Sequence, residues 1–263
     1  MTKYVNPIPM TGKIRTATWF IKNPQYIPHI FQILKRKRNS FLGNSGVNAT
    51  AWCQAQCISQ EEALKILVLD SKPTNLKDLY PGEINKARQI VENCPVKMGG
   101  EGAISFIYHL VKNSGAKKIL ETGVAYGWSS LAILLAIKEK EGSHLISNDM
   151  PYINMGNEDY VGCIIPAQLK AKWQLQRLPD IKGIPLALKK FNHSIDLCHY
   201  DSDKSYTGRM WASPLLWNSL KDGGFFVSDD INDNLAFQHF CQSVHRTPVI
   251  IEHLGKYVGV IVK

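Results

Sequence analysis

Two short stretches of this 263-residue chain hold four carboxylates and an amine. "CHYDSDKSY" (198–206) delivers Asp201, Asp203 and Lys204 where the apolar run Ile195-Asp196-Leu197-Cys198-His199-Tyr200 ends. "GGFFVSDD" (223–230) delivers Asp229 and Asp230 at the end of a second run. Such runs read as buried strands of a parallel sheet, and ligands of these sheets bind at the carboxyl ends of the strands. If the two strands are neighbours, Asp201, Asp229 and Asp230 converge. Like charges about 4 Å apart repel by about 4 kcal/mol at an effective dielectric of 20, so either a carboxyl is protonated or a cation sits among them. Oxygen donors suit Mg²⁺, Mn²⁺ or Ca²⁺ rather than zinc. A plainer role competes: Asp203 can cap the helix after Tyr206, and Asp233 or Asn234 can cap "LAFQHFCQSV".

A second constellation precedes these. "ILETGVAYGWSS" (119–130) sets Glu121, Gly123, Ala125, Tyr126, Gly127 and Ser129 between a strand and a helix. Glycines let such a turn approach a ligand closely, and the helix start offers unpaired N–H groups to an anion. Asp149 ends "HLISND", 22 residues after Gly127, where a carboxylate can accept hydrogen bonds from ribose hydroxyls. The spacing E-x-G-x-x-x-G is not the G-x-G-x-x-G of pyrophosphate binders. It therefore points to an adenosine-type cofactor with one small anionic group. S-adenosylmethionine fits better than NAD, with Glu121 balancing its amine and Asp201 completing the cofactor contacts.

These residues need a scaffold, and the chain predicts one. After Gly115 the texture alternates strand and helix: "KKILET", "GWSSLAILLAIKEK", "HLISND", "KWQLQRL", "SIDLCHY", the mainly helical "YTGRMWASPLLWNSLKDGG", and "GFFVSDD". "VIIEHL-GK-YVGVIV" reads as a closing antiparallel hairpin. The expected fold is thus α/β, a Rossmann-like doubly wound sheet with a C-terminal hairpin, preceded by a helical extension. Residues 1–100 are assigned to that extension as a lid, and 101–263 to the cofactor-binding domain. Within the extension, "GNSGVNAT" (43–50) reads as a loop, Ser59 and Glu62 form a capping box, and "GEINKARQIVENC" and "EGAISFIYHLVKNSG" read as helices. Residues 151–172 form an insertion whose Tyr152 and Tyr160 can stack on a substrate.

Composition narrows the classes. An apolar share of 44% supports a real core, and no run reaches the length of a membrane span. The start lacks a secretory h-region, so a cytoplasmic location is expected. Six cysteines without a second close pair argue against structural zinc and a disulfide framework. The net charge of +9 centres on Lys35–Arg38, at the end of the predicted helix "NPQYIPHIFQILKRKR". A peripheral membrane contact through this helix stays open. Aromatic and basic residues do not interleave, so no nucleic-acid partner is expected. His193, His199 and His239 read as packed residues rather than catalytic ones.

In this order, "ILETGVAYGWSS", "SNDM", "DLCHYDSDKSY" and "LKDGGFFVSDD" resemble class I S-adenosylmethionine-dependent methyltransferases. Within them they are similar to the divalent-metal-dependent O-methyltransferases, which include catechol-type and macrolide-sugar enzymes. The resemblance spans roughly residues 100–263. It implies Asp201, Asp229 and Asp230 as ligands of a metal that clamps the acceptor hydroxyl and lowers its pKa. It also implies a base at Asp203, as in the sugar enzymes, or at Lys204, as in the catechol type. Asp203 is the first choice, since a carboxylate is unprotonated at neutral pH.

The expected activity is methylation of a hydroxyl on a sugar, glycoconjugate or other small molecule. The partner is then that small-molecule or glycan acceptor, and a homo-oligomer stays open. Two alternatives are an NAD-linked oxidoreductase on the same sheet and a non-catalytic nucleotide-binding or membrane-peripheral module.

Overall fold

The computed structural model describes residues 11–27, 30, 46–70, 73–151 and 156–263. Lys35–Arg38 and Tyr152, and with them the basic-helix reading, lie outside the described residues. Ten helices are described: α1 (Thr11–Lys22), α2 (Gly46–Gln56), α3 (Gln60–Val68), α4 (Leu76–Leu79), α5 (Pro81–Glu92), α6 (Ile104–Asn113), α7 (Trp128–Ile137), α8 (Asp180–Lys190), α9 (Tyr206–Ser219) and α10 (Ala236–Ser243). The strands are β1 (Cys57–Ile58), β2 (Lys118–Thr122), β3 (His144–Asn148), β4 (Trp173–Gln176), β5 (Ile195–Tyr200), β6 (Leu220–Ser228), β7 (Val249–His253) and β8 (Lys256–Val262).

They form one sheet of order β1-β7-β8-β6-β5-β2-β3-β4, with β8 antiparallel to both neighbours. The order reverses between β5 and β2, whose register pairs Thr122 with Tyr200. Both strands are buried along most of their length because helices cover the two faces. One core cluster joins α6 and α7 to one face, and a second joins α8, α9 and α10 to the other. The expected doubly wound sheet with its hairpin is the observed fold. Among the described residues, no helix is long and apolar enough to cross a membrane.

Three local readings are corrected. Most of "GNSGVNAT" is not a loop: residues 46–50 open α2, whose Ala49 and Cys53 are buried one turn apart and whose Trp52 meets Phe237. Tertiary packing outweighs the polar composition there. The predicted helix through "LKDGG" stops at Ser219, because Leu220 already pairs with Ile195 on β5. Finally, α8 was not predicted: Ile184, Ala187 and Leu188 keep helical spacing and are buried, but Gly183 and Pro185 interrupt the run.

Residues 57–92 take part in this architecture. β1 adds a parallel edge strand through Cys57 beside Ile250, and Leu64, Leu76 and Ile84 are buried in the same core as α6 and α7. Burying each such side chain contributes about 1.5–3 kcal/mol. The Ser59 half of the expected capping box of α3 is present, with Ser59 Oγ accepting from Glu62 N at 3.1 Å.

Candidate active site

The site lies at the reversal point, where an open α/β sheet leaves a crevice. Backbone bonds continue past the strand ends: Asp201 N donates to Thr122 O at 2.9 Å, and Asp229 N donates to Tyr200 O at 3.0 Å. The acidic ends of β5 and β6 are thereby fixed side by side. Above them is a cleft of about 340 Å³, within the usual range for small-molecule sites. Gly123, Ala125, Asp201, Lys204, Asp229 and Lys256 contribute to its lining.

Lys204 sits among the carboxylates. Its Nζ is 3.1 Å from Asp201 Oδ1 and donates to Asp230 Oδ2, while Lys256 Nζ stands 3.0 Å from Asp230 Oδ1. Burial disfavours the charge on Lys204, but Asp201 and Asp230 outweigh it and hold its pKa above the usual lysine range. Burial likewise pushes Asp230 up, and Lys204 and Lys256 override this to hold it below the usual carboxylate range. Asp201 behaves oppositely: burial, then the neighbouring Asp229, raise its pKa to about 6 despite Lys204.

This arrangement alters the metal expectation for Asp201, Asp229 and Asp230. Among the described residues, no three His, Cys, Asp or Glu side chains are grouped to hold a metal ion. The cation demanded by the converging carboxylates is the ammonium of Lys204, seconded by Lys256. In this arrangement the Lys204 ammonium bridges Asp201 and Asp230, two of the three expected ligands.

Asp203, the first choice for the base, points elsewhere. Its Oδ1 accepts from Ser205 N at 3.0 Å, and a Cβ on Gly208 would fall 2.1 Å from its carboxylate. It therefore packs against the start of α9, which Ser205 rather than Asp203 caps by accepting from Gly208 N at 3.1 Å, while Lys204 reaches the cleft. Asn234, not Asp233, takes the N–H of Ala236 at the head of α10 and also binds Lys204 O at 2.8 Å.

The cofactor candidates divide in two. Gly123, with φ +81°, turns the loop so tightly that a Cβ there would lie 2.3 Å from Asp201 O. Gly127 (φ +102°) starts α7 beneath Ile165. Gly123, Ala125 and Ser129 face the cleft, as does Asp201. Glu121 does not: wholly buried, it accepts hydrogen bonds from Ser129, Ser130 and Ser147 at 2.5–2.6 Å. It ties the start of α7 to β2 and β3 instead of meeting a cofactor amine. Asp149 is also turned inward, accepting from Val124 N and Ala125 N at 2.7 and 3.1 Å and from Arg177 Nη1 at 2.7 Å. It shapes the glycine loop. Tyr126 is buried and donates to Val96 O, so it anchors the 96–98 segment on the cleft's rim.

Sequence reasoning missed three contributors. Lys256 appeared only as a hairpin-turn residue, and its reach to Asp230 follows from β8 lying next to β6. Met98–Gly102 line the cleft without a chemical motif of their own. His199 borders the cleft at 2% exposure, with Nδ1 3.6 Å from Glu121 Oε1. Its alternation with Asp201, the residue just past β5, is the signal that links them. The 151–172 insertion buttresses the loop from outside, through Gly162 N to Ala125 O at 2.9 Å.

Residues 120–231 match the family model described as a methyltransferase domain. No curated protein sequence matches the chain. Solved structures do. The O-methyltransferase from Bacillus cereus in complex with SAH is 14% identical with a TM-score of 0.53, covering 80% of this chain and 100% of that one. The O-methyltransferase TomG from Streptomyces achromogenes, involved in tomaymycin synthesis and in complex with SAM, is 14% identical with a TM-score of 0.54, covering 78% and 99%. A putative caffeoyl-CoA O-methyltransferase from Staphylococcus aureus is 14% identical with a TM-score of 0.51, covering 72% and 97%. At this identity the likeness is one of fold.

Proposed function

We propose that this chain, which carries a class I S-adenosylmethionine-dependent methyltransferase domain, methylates a hydroxyl oxygen of a small molecule. The observation that carries the oxygen acceptor is the Lys204 ammonium, held between Asp201 and Asp230 in the cleft beside the glycine loop. S-adenosylmethionine supplies, when bound, an electrophilic methyl group on a sulfonium. The first turn of α7, with Trp128 and Ser129 lining the cleft beside Gly123 and Ala125, is the group placed to hold it.

An attacking hydroxyl must lose its proton as the C–O bond forms. Lys204 and Lys256 stabilise the negative charge that develops on that oxygen, because fixed ammonium groups in a half-buried cleft need no reorganisation. Asp201 takes the proton. It lines the cleft, and its raised pKa brings it toward the value a general base needs near neutral pH. The remaining contribution is positioning of the two reactants in line. Trp128 is the one Phe, Tyr or Trp side chain among the described residues lining the cleft, beside His199, His253 and several polar groups, which supports a hydroxyl-rich acceptor such as a sugar or glycoconjugate over a stacked ring.

The test has two stages. Calorimetry should show S-adenosylhomocysteine binding to the intact chain. Labelled methyl should then pass from S-adenosylmethionine to one or more of a panel of sugar and phenolic hydroxyls. Failure to bind S-adenosylhomocysteine at millimolar concentration would remove the reading.

A further inference from the structure

Arg209 lies in the first turn of α9 and is only 3% exposed. Its Nη1 donates to Ser228 Oγ at 2.7 Å, and its Nη2 donates to the carbonyl oxygens of Asp229 and Asp230, both at 2.9 Å. The guanidinium stands 5.9 Å from the ring of Tyr200, the residue before Asp201. This one side chain therefore spans the last residue of β6, both residues of the acidic pair and the end of β5.

The corner it holds is unusual. Asp230 has φ 48° and ψ 43°, the left-handed region that side-chain-bearing residues seldom occupy. In that conformation its carboxylate meets both Lys204 and Lys256. An extended backbone at this position would turn the carboxylate away from these two ammonium groups. Something must hold the turn, and a planar fork of donors fits a hydroxyl and two successive carbonyls in a way that a single ammonium does not.

We propose that Arg209 is the positioning residue of this site. By clamping Ser228, Asp229 and Asp230, it aims the Asp230 carboxylate at Lys204 and so keeps the Lys204 ammonium in the cleft. The inference rests on the methyl-transfer reading, since it gives Lys204 its task. Arg209 itself touches neither reactant.

The test uses the full chain and reads Lys204 directly. Acetylation by an N-hydroxysuccinimide ester, followed by mass spectrometry, reports how freely each lysine amine reacts; exposed Lys77 is the internal reference. In the wild type, Lys204 should react more slowly than Lys77, because two carboxylates hold its proton. In Arg209→Lys and Arg209→Gln, its rate should rise about tenfold, the effect of one pKa unit, with Lys77 unchanged. S-adenosylhomocysteine affinity should stay within about twofold, since the glycine loop is untouched.

Where an acceptor is turned over, Arg209→Lys should lower kcat about tenfold without raising KM for the cofactor. In an Asp230→Asn background the same change should cost less than about twofold, because both residues act through one contact. An unchanged Lys204 rate in a folded variant overturns the proposal. So does a full additional loss in the Asp230→Asn background, or collapse of both variants, which would make Arg209 a residue of the fold alone. A wild type that does not bind S-adenosylhomocysteine overturns the methyl-transfer reading instead.

Discussion

Two carboxylates at the opposite ends of β5, five positions apart, meet opposite fates. Asp196, at the amino end, accepts N–H bonds from Lys117 and Lys118 at 2.9 and 2.7 Å and pairs with Lys221 at 2.5 Å. Burial pushes its pKa up, but these donors outweigh it and leave it below the usual range. Asp201, at the carboxyl end, is buried beside Asp229, and its pKa is pushed up to about 6. The first carboxylate is satisfied by the fold and stabilises it. The second is left under tension at the mouth of a cleft, and such strained ionisation marks places where chemistry is done. The two ends of one strand thus separate stability from function, as the general behaviour of parallel sheets requires.

The sharpest way to break this contrast is at Asp201. Asp201→Asn should lower methyl transfer about 10²–10⁴-fold, the range for loss of a general base, while S-adenosylhomocysteine still binds in calorimetry. Full activity would remove Asp201 from the mechanism. Lys204→Met should cost about 10²–10³-fold, comparable to losing one fixed donor to a developing oxyanion. A variant with unchanged kcat would show that the ammonium serves only to balance charge.

Gly123→Ala tests the floor between the two strands. Its Cβ would meet Asp201 O, and φ +81° adds strain, so about 2–4 kcal/mol of stability should be lost in a urea melt. Cofactor affinity should fall with it. A variant as stable as wild type would contradict the close approach described here.

The smallest effect belongs to the other end. Asp196→Asn should cost about 1–3 kcal/mol of stability and leave kcat unchanged. The sign with pH follows from the lowered pKa. A carboxyl depressed on folding contributes its stability above its unfolded value, 3.8, and loses it as pH falls through the lower folded value. Urea melts of the wild type and Asp196→Asn should therefore draw together as pH falls below 3.8 and meet only below the depressed folded value. If they stay apart in acid, Asp196 acts through something other than its charge.

Much of this was legible in the sequence because strand ends announce themselves. Apolar runs that stop at Asp201 and at Asp229 gave the two neighbouring strands, and "ETGVAYG" gave the turn between β2 and α7. What stayed hidden was direction. Glu121, Asp149 and Asp203 are the right residue types at the right elements, yet each turns inward to hold backbone or hydroxyl donors. Spacing along a chain cannot tell a carboxylate that meets a ligand from one that meets the loop. Lys256 was illegible for another reason: it joins the site only because β8 lies beside β6. Likewise α2 formed where composition suggested a loop, since Ala49 and Cys53 find a core that lies distant in sequence.

The central claim is that Lys204 is the cation working among these carboxylates. It is tested most directly by methyl transfer from labelled S-adenosylmethionine, wild type beside Lys204→Met, both in excess chelator and over one panel of hydroxyl acceptors. The account predicts that the wild type transfers methyl under chelator while Lys204→Met binds S-adenosylhomocysteine but transfers at least about 10²-fold less. A wild type that is silent under chelator and restored by Mg²⁺, or a fully active Lys204→Met, would contradict it.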